Sequence, residues 1–113
     1  MTHLKIDYVE FASAELAKSK AFFDRAFGWT FQDYGPDYAA MTNAGLDGGL
    51  QSDPEHAGAL PLVILKADDL EAAETAVKTA GGTVTRPIFA FPGGRRFHFR
   101  EPGGNELAVW SET

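Results

Sequence analysis

Between Leu4 and Ala12 the chain reads LKIDYVEFA, and polar and apolar side chains exchange places almost residue by residue. The stretch is rich in aromatic and β-branched residues, which together with the alternation predicts a strand with two distinct faces. From Ala14 to Phe27 (AELAKSKAFFDRAF) the period lengthens: Leu16, Phe22, Phe23, Ala26 and Phe27 recur at roughly helical spacing. Ser13 offers an N-cap hydroxyl, and Gly28 can take the left-handed conformation that ends a helix. Phe22, Phe23 and Phe27 are therefore expected in the core. Three shorter pieces follow, WTFQDYG, DYAAMTN and GGLQS, read as strands joined by turns at Gly35-Pro36-Asp37 and Asn43-Ala44-Gly45.

After a polar linker, SDPEHAGA (Ser52 to Ala59), the order begins again. LPLVILKA predicts a strand and DDLEAAETAVKTA a helix capped at Asp68 or Asp69 and stopped by Gly81-Gly82. TVTRPIFAF, RRFHFRE and NELAVWS supply three more strands. Sliding the first half by 54 sets Tyr8 on Leu62, Leu16 on Leu70, Phe23 on Val77 and Gly28 on Gly82. Toward the end the shift becomes 57, which sets Leu50 on Leu107 and Gln51 on Ala108. The expectation is an α+β chain of two βαβββ modules in pseudo-twofold arrangement. The modules cover about 1–52 and about 60–113 of a single domain, 1–113. Gly48-Gly49 and Gly93-Gly94 are read as hairpin-turn glycines, the first pair also suiting a strand that another backbone or a ligand approaches closely.

Composition narrows the function classes. The chain has 113 residues and no cysteine, which removes disulfides, thiolate metal sites and cysteine nucleophiles. A formal net charge of −6 argues against nucleic acid as a partner. No apolar run reaches membrane-spanning length and the N-terminal MTHLKIDYVEF has no signal-peptide core, so a cytoplasmic location with no membrane partner is expected.

YVEF, AF and FGW in the first half, and DDLEAA, AGG and EPGGNELAVW in the second, resemble the vicinal oxygen chelate superfamily. This is the group of glyoxalases, bleomycin-resistance proteins and extradiol dioxygenases. The resemblance covers nearly the whole chain and implies curled mixed sheets and half-barrel modules enclosing a site, with metal ligands drawn from the first and last strand of each module. It places those ligand positions on Tyr8, Leu62 and Ala108 and near Gln51. Tyr, Leu, Ala and Gln make a poor donor set for a divalent cation, so neither a metal nor another cofactor is expected. A slip of two residues would bring Glu10, Ile64 and Glu106 to the same faces.

Within that implied fold, alternation names the residues on the open side. Tyr8, Glu10, Gln51, Lys66, Arg96, His98, Glu106 and Trp110 form the candidate ligand-binding set, an ionisable and aromatic mixture beyond what a sheet core needs. Cross-sheet salt bridges, each worth about 0–1 kcal/mol when exposed, account equally for the charges. A strand histidine held by a hydrogen bond accounts for His98. The resulting expectation is a small-molecule-binding member of the superfamily that lacks the usual metal ligands, akin to the bleomycin-resistance proteins that sequester a ligand. The alternative is a metal-dependent glyoxalase-type lyase or isomerase, or a dioxygenase. It would use Glu10, His98 and Glu106 as ligands, or His98 with a carboxylate for metal-free acid/base work. The residues leave binder and enzyme both open, and no catalytic residue is assigned. The expected partners are a small-molecule ligand and a second copy of the chain in a homodimer.

Overall fold

The computed structural model describes residues 3–113. Its elements run β1 (Lys5–Ser13), α1 (Leu16–Phe27), β2 (Phe31–Asp33), β3 (Tyr38–Met41), β4 (Gly48–Ser52), β5 (Leu62–Lys66), α2 (Leu70–Thr79), β6 (Thr83–Phe91), β7 (Gly94–Arg100) and β8 (Glu106–Ser111). The α+β class and the twofold recurrence of βαβββ are thus those read from the sequence. The chain divides into two units. The first is Tyr8–Pro61, and the second is Leu62–Thr113 together with the N-terminal residues through Asp7. Those N-terminal residues join the second unit for a physical reason: Leu4 packs on its core and the Asp7 carboxylate accepts a hydrogen bond from the Trp110 indole.

Each unit repeats one strand order. In the first, β1 pairs in parallel with β4, which pairs antiparallel with β3, which pairs antiparallel with β2. In the second, β5 pairs in parallel with β8, then β7 and β6 follow antiparallel. Alternation then divides every strand between two faces. In the second unit Phe97, Phe99 and Val109 turn toward α2, where Leu70 and Ala73 meet them with Ala67. Burying a side chain such as Phe97, Leu70 or Val109 contributes about 1.5–3 kcal/mol each. The same alternation sends Arg96, His98, Ala108 and Trp110 to the opposite face.

The second helix starts as the sequence predicts, with Asp69 accepting from the Ala72 amide at 3.0 Å. The first does not. Its N-cap is Glu15, which makes no side-chain cap bond, and Ser13 ends β1 instead. The Ser13 hydroxyl still accepts from the Glu15 amide at 3.1 Å and pairs with Ser19 at 2.6 Å, so it organises the entry to the helix from outside. Gly28 closes α1 at φ 72°, the left-handed stop its position demands.

Phe22 and Phe27 are not core residues: they are 58% and 62% exposed. Phe22 lies one residue, about 100°, around the helix from Phe23, and Phe27 occupies the last helical position. Phe23 instead stacks on Trp29, centroids 4.8 Å apart, with Phe27 tilted against the same indole. Gly48 and Gly49 are not turn residues either, since both lie within β4. A Cβ on Gly48 would come within 2.6 Å of the Val9 carbonyl oxygen on the neighbouring strand, so close backbone approach is what requires glycine. The EPGGN turn owes its shape to Glu101, whose carboxylate accepts from the Gly103 and Asn105 amides and is thereby held below the usual carboxylate range. Among the described residues no helix is long and apolar enough to cross a membrane.

Candidate functional site

In the first unit the pairing of Glu10 and Ala40 with Gly49, and of Tyr38 and Ala12 with Gln51, brings Tyr8, Glu10, Tyr38 and Gln51 to one face. Three of them are joined. Tyr38 donates its phenolic proton to Glu10 Oε2 at 2.9 Å, so the 2.7 Å contact between the two tyrosine oxygens has Tyr8 as donor. The chain runs over Gly49, where a Cβ would come within 2.6 Å of the Tyr8 oxygen and closer still to that of Tyr38. Burial raises the Tyr8 hydroxyl above its ordinary value, and Glu10 adds to it. Burial and the adjacent Glu10 carboxylate push Tyr38 up much further. Both phenols therefore stay protonated at neutral pH. Gln51 is exposed on the same face. Tyr38 is absent from the sequence-derived set. The signal that finds it is its place opposite Gln51 across the β3–β4 pair.

The second unit holds the other candidates on β5 to β8, and here cations and rings alternate in a row. The Arg86 guanidinium lies 3.7 Å from the centroid of Phe89. Arg96 lies 6.0 Å from Phe89 and 5.8 Å from Phe91. Phe91 meets Trp110 at 6.2 Å, and Lys66 Nζ lies 5.0 Å from the Trp110 centroid. The indole is fixed by its N–H, which donates to Asp7 at 2.9 Å. Lys66 donates to Glu112 at 2.6 Å, and that bond raises the lysine and lowers the glutamate. Glu106 accepts from the Thr85 hydroxyl at 2.7 Å. Arg86, Phe89 and Phe91 are additions to the sequence-derived set. They sit on β6, whose register against β7 shifts twice between Val84 and Phe89, so simple alternation does not aim them.

His98 lies within this group, its ring 5.9 Å from that of Phe89. Arg96 Nε donates to His98 Nε2 at 3.2 Å, which leaves the imidazole proton on Nδ1. Burial, then the positive charges of Arg96 and Arg86, lower its pKa to about 4 against the opposing pull of Glu106. The imidazole is neutral at pH near 7 and is no general acid there.

Strand register also tests the metal that the resemblance implies. Glu10 pairs with Gly49 in the first unit as Ile64 pairs with Ala108 in the second. The counterpart of Ala108 is therefore Gly49, and Gln51 corresponds to Trp110, because β4 and β8 are related by a shift of 59 rather than 57. The four ligand positions become Tyr8, Gly49, Leu62 and Ala108. Three have no donor atom, and at Gly49 the space for a ligating side chain holds phenol oxygens. These residues do not fit a divalent cation. Nor do Glu10, His98 and Glu106 supply a free set: each accepts a hydrogen bond from Tyr38, Arg96 and Thr85 respectively. Among the described residues no three His, Asp or Glu side chains come together in a way that would hold a metal ion.

The comparisons with known proteins agree with the fold. A glyoxalase/bleomycin-resistance protein/dioxygenase superfamily member from Vibrio splendidus 12B01 superposes with TM-score 0.74 at 17% identity, over 96% of this chain and 99% of that one. Methylmalonyl-CoA epimerase from Mycobacterium tuberculosis gives 0.71 at 13%, over 96% and 87%. The Mn(II)-bound glyoxalase from Novosphingobium aromaticivorans gives 0.68 at 24%, over 96% of this chain but 38% of the longer one. At these identities the likeness is one of fold. No curated protein matches significantly by sequence. The family model for the glyoxalase/bleomycin resistance protein/dioxygenase superfamily matches residues 5–109, and the chain belongs to that superfamily.

Proposed function

We propose that this chain binds a small organic molecule on the open strand faces of its units and does so without the metal used by its glyoxalase relatives. It would act as a sequestering or carrying protein, in the manner of the superfamily's bleomycin-resistance branch. The observation that supports this best is Trp110. It stands on the face turned away from α2, its indole N–H is fixed by Asp7, and its ring is flanked by Phe91 and Lys66. An aromatic side chain pinned by its polar atom on an open sheet face, beside further rings and cations, is a ready-made contact for a ligand.

The competing reading, a metal-dependent lyase, isomerase or dioxygenase, draws on what the structurally similar proteins are and finds no cluster of metal donors among the described residues. The test uses the Trp29→Phe variant, in which Trp110 is the sole tryptophan. A panel of small acids, amines and neutral aromatics is followed by Trp110 fluorescence and thermal melting. Some members should change the fluorescence saturably and raise the melting temperature. A panel with no saturable response would overturn the proposal. We propose further that the chain works as a homodimer, with the exposed Phe22 and Phe27 among the apolar surface available for burial. Sedimentation velocity giving a monomer at all concentrations would overturn that part.

A further inference from the structure

Charge is unevenly spread over the first unit. Between Arg25 and Lys66 the chain has no lysine or arginine, yet it holds Asp33, Asp37, Asp47, Asp53 and Glu55. The unit's lysines and arginine, Lys18, Lys20 and Arg25, all belong to α1. Asp33 is paired with Lys20 at 2.6 Å and Asp53 with His56 at 2.9 Å. Asp47 is exposed, and among the described residues its carboxylate has no ion-pair or hydrogen-bond partner. It stands one step before the Val9–Gly48 pair, and its carbonyl accepts from the Val9 amide at 3.1 Å. Alternation along β4 therefore places its side chain with Gly49 and Gln51, on the face of Tyr8.

Hydrogen bonding on that face runs one way. Tyr8 donates to Tyr38 and Tyr38 to Glu10, so both phenolic protons are spent within the chain of bonds. Glu10 enters only as the acceptor that closes it. Tyr8 is half-buried, and among the described residues its oxygen hydrogen-bonds to Tyr38 alone, which leaves it a lone pair to offer. Burial chiefly, with the charges of Glu10 and Asp47 behind it, raises the Tyr8 hydroxyl, so the phenol keeps the proton it donates.

We infer that this face takes an organic ammonium group, its N–H donated to the Tyr8 oxygen and its charge set against the Asp47 carboxylate; this rests on the binding function proposed above and names its ligand class. An oxygen that can only accept selects a donor, because a carboxylate or carbonyl of the ligand would meet a lone pair and stay unpaired. A neutral hydroxyl would satisfy Tyr8 and leave the charge of Asp47 unused. A quaternary ammonium would meet that charge and leave Tyr8 without a proton. A protonated amine does both, and Gln51 can turn its amide oxygen to a second N–H. With the unit's lysines and arginine confined to α1, none on these strands competes for Asp47.

The test titrates the full chain with benzylammonium, benzyl alcohol, benzyltrimethylammonium and benzoate, followed by calorimetry and by the Gly49 and Gln51 amide resonances. Benzylammonium should move those resonances saturably and bind about tenfold more tightly than benzyl alcohol, whose hydrogen bond is neutral. It should also outbind benzyltrimethylammonium, which has the charge and no N–H, and benzoate should bind most weakly. Tyr8→Phe should weaken benzylammonium about tenfold and remove its advantage over benzyltrimethylammonium. Asp47→Asn should weaken benzylammonium about threefold, as an exposed charge pair allows, and leave benzyl alcohol unchanged. Melting curves verify that both variants fold. If benzyltrimethylammonium equals benzylammonium, donation to Tyr8 is wrong and the inference falls. If benzoate binds as tightly, the ammonium class is wrong while small-molecule binding stands. If none of the four binds, the inference falls, and the panel followed by Trp110 decides the broader proposal separately.

Discussion

Acidification places a calculable load on His98. In the unfolded chain its imidazole titrates near 6.5, and in the native protein burial and the charges of Arg96 and Arg86 lower it to about 4. Above the first value the ring is neutral in both states and costs nothing. Between the two values the unfolded chain takes up the proton and the native protein does not, so stability falls as the pH falls. Below the lower value both states are charged and the loss levels off. The full difference corresponds to about 3 kcal/mol, and at pH about 5 linkage gives about 2 kcal/mol. The ring is only partly buried, so solvent screening brings the expected loss at that pH to about 1–2 kcal/mol. Urea denaturation of the wild type and of His98→Gln, at pH about 7.5, 6 and 5, isolates this share, because the carboxylates titrate alike in both proteins. The wild type should lose about 1–2 kcal/mol more than the variant. Parallel losses would refute the description of His98 as a half-buried neutral base. An NMR titration gives a second check, since Arg96→Gln should move the imidazole pKa upward from about 4.

Other expectations concern the fold and the donor set. Gly49→Ala forces the Tyr8 and Tyr38 oxygens off their line to Glu10 and should cost about 1–3 kcal/mol in urea denaturation. A change under about 0.5 kcal/mol would show that the phenols do not lie over that residue. Asp69→Ala removes the cap on the Ala72 amide and should cost about 1 kcal/mol by the same assay, with an unchanged midpoint counting against the cap. Protein purified without chelator should contain substoichiometric Ni, Zn, Mn and Fe, and EDTA should leave its melting curve unmoved. Near-stoichiometric metal that is lost on substituting Glu10, His98 or Glu106 would reverse the conclusion about the donor set.

How far the sequence reveals this protein follows from what each feature depends on. The strands and the second helix are legible because alternation, helical spacing and the Asp69 cap act within a few residues. The faces of β7 and β8 are legible for the same reason, and so Arg96, His98, Glu106 and Trp110 fall on the side expected of them. The exposed phenylalanines are a different case: a helical repeat reveals that an apolar stripe exists but not its width, and α1 stacks Phe23 on Trp29 while Phe27, though tilted against the same indole, and Phe22 stay exposed.

The metal question shows the limit most clearly. An apolar match of Leu50 with Leu107 gives one register for the last strands, whereas parallel hydrogen bonding gives another, two residues away. A two-residue slip keeps every side chain on its face and therefore leaves no trace in hydrophobic pattern. It does change which residue stands at the ligand position, from a glutamine with a usable oxygen to a glycine with none. That Gly49 also admits two phenols, one of them from β3, whose turn into β4 is legible at Asn43-Ala44-Gly45 but whose register against it is not. Chemistry on a sheet is made by cross-strand neighbours, so a residue list drawn from single strands recovers the faces and misses the pairs. Tyr38 on Glu10, which meet across β4, is the pair it misses, whereas Arg86 on Phe89 lies within β6 and is missed because that strand's register against β7 shifts twice.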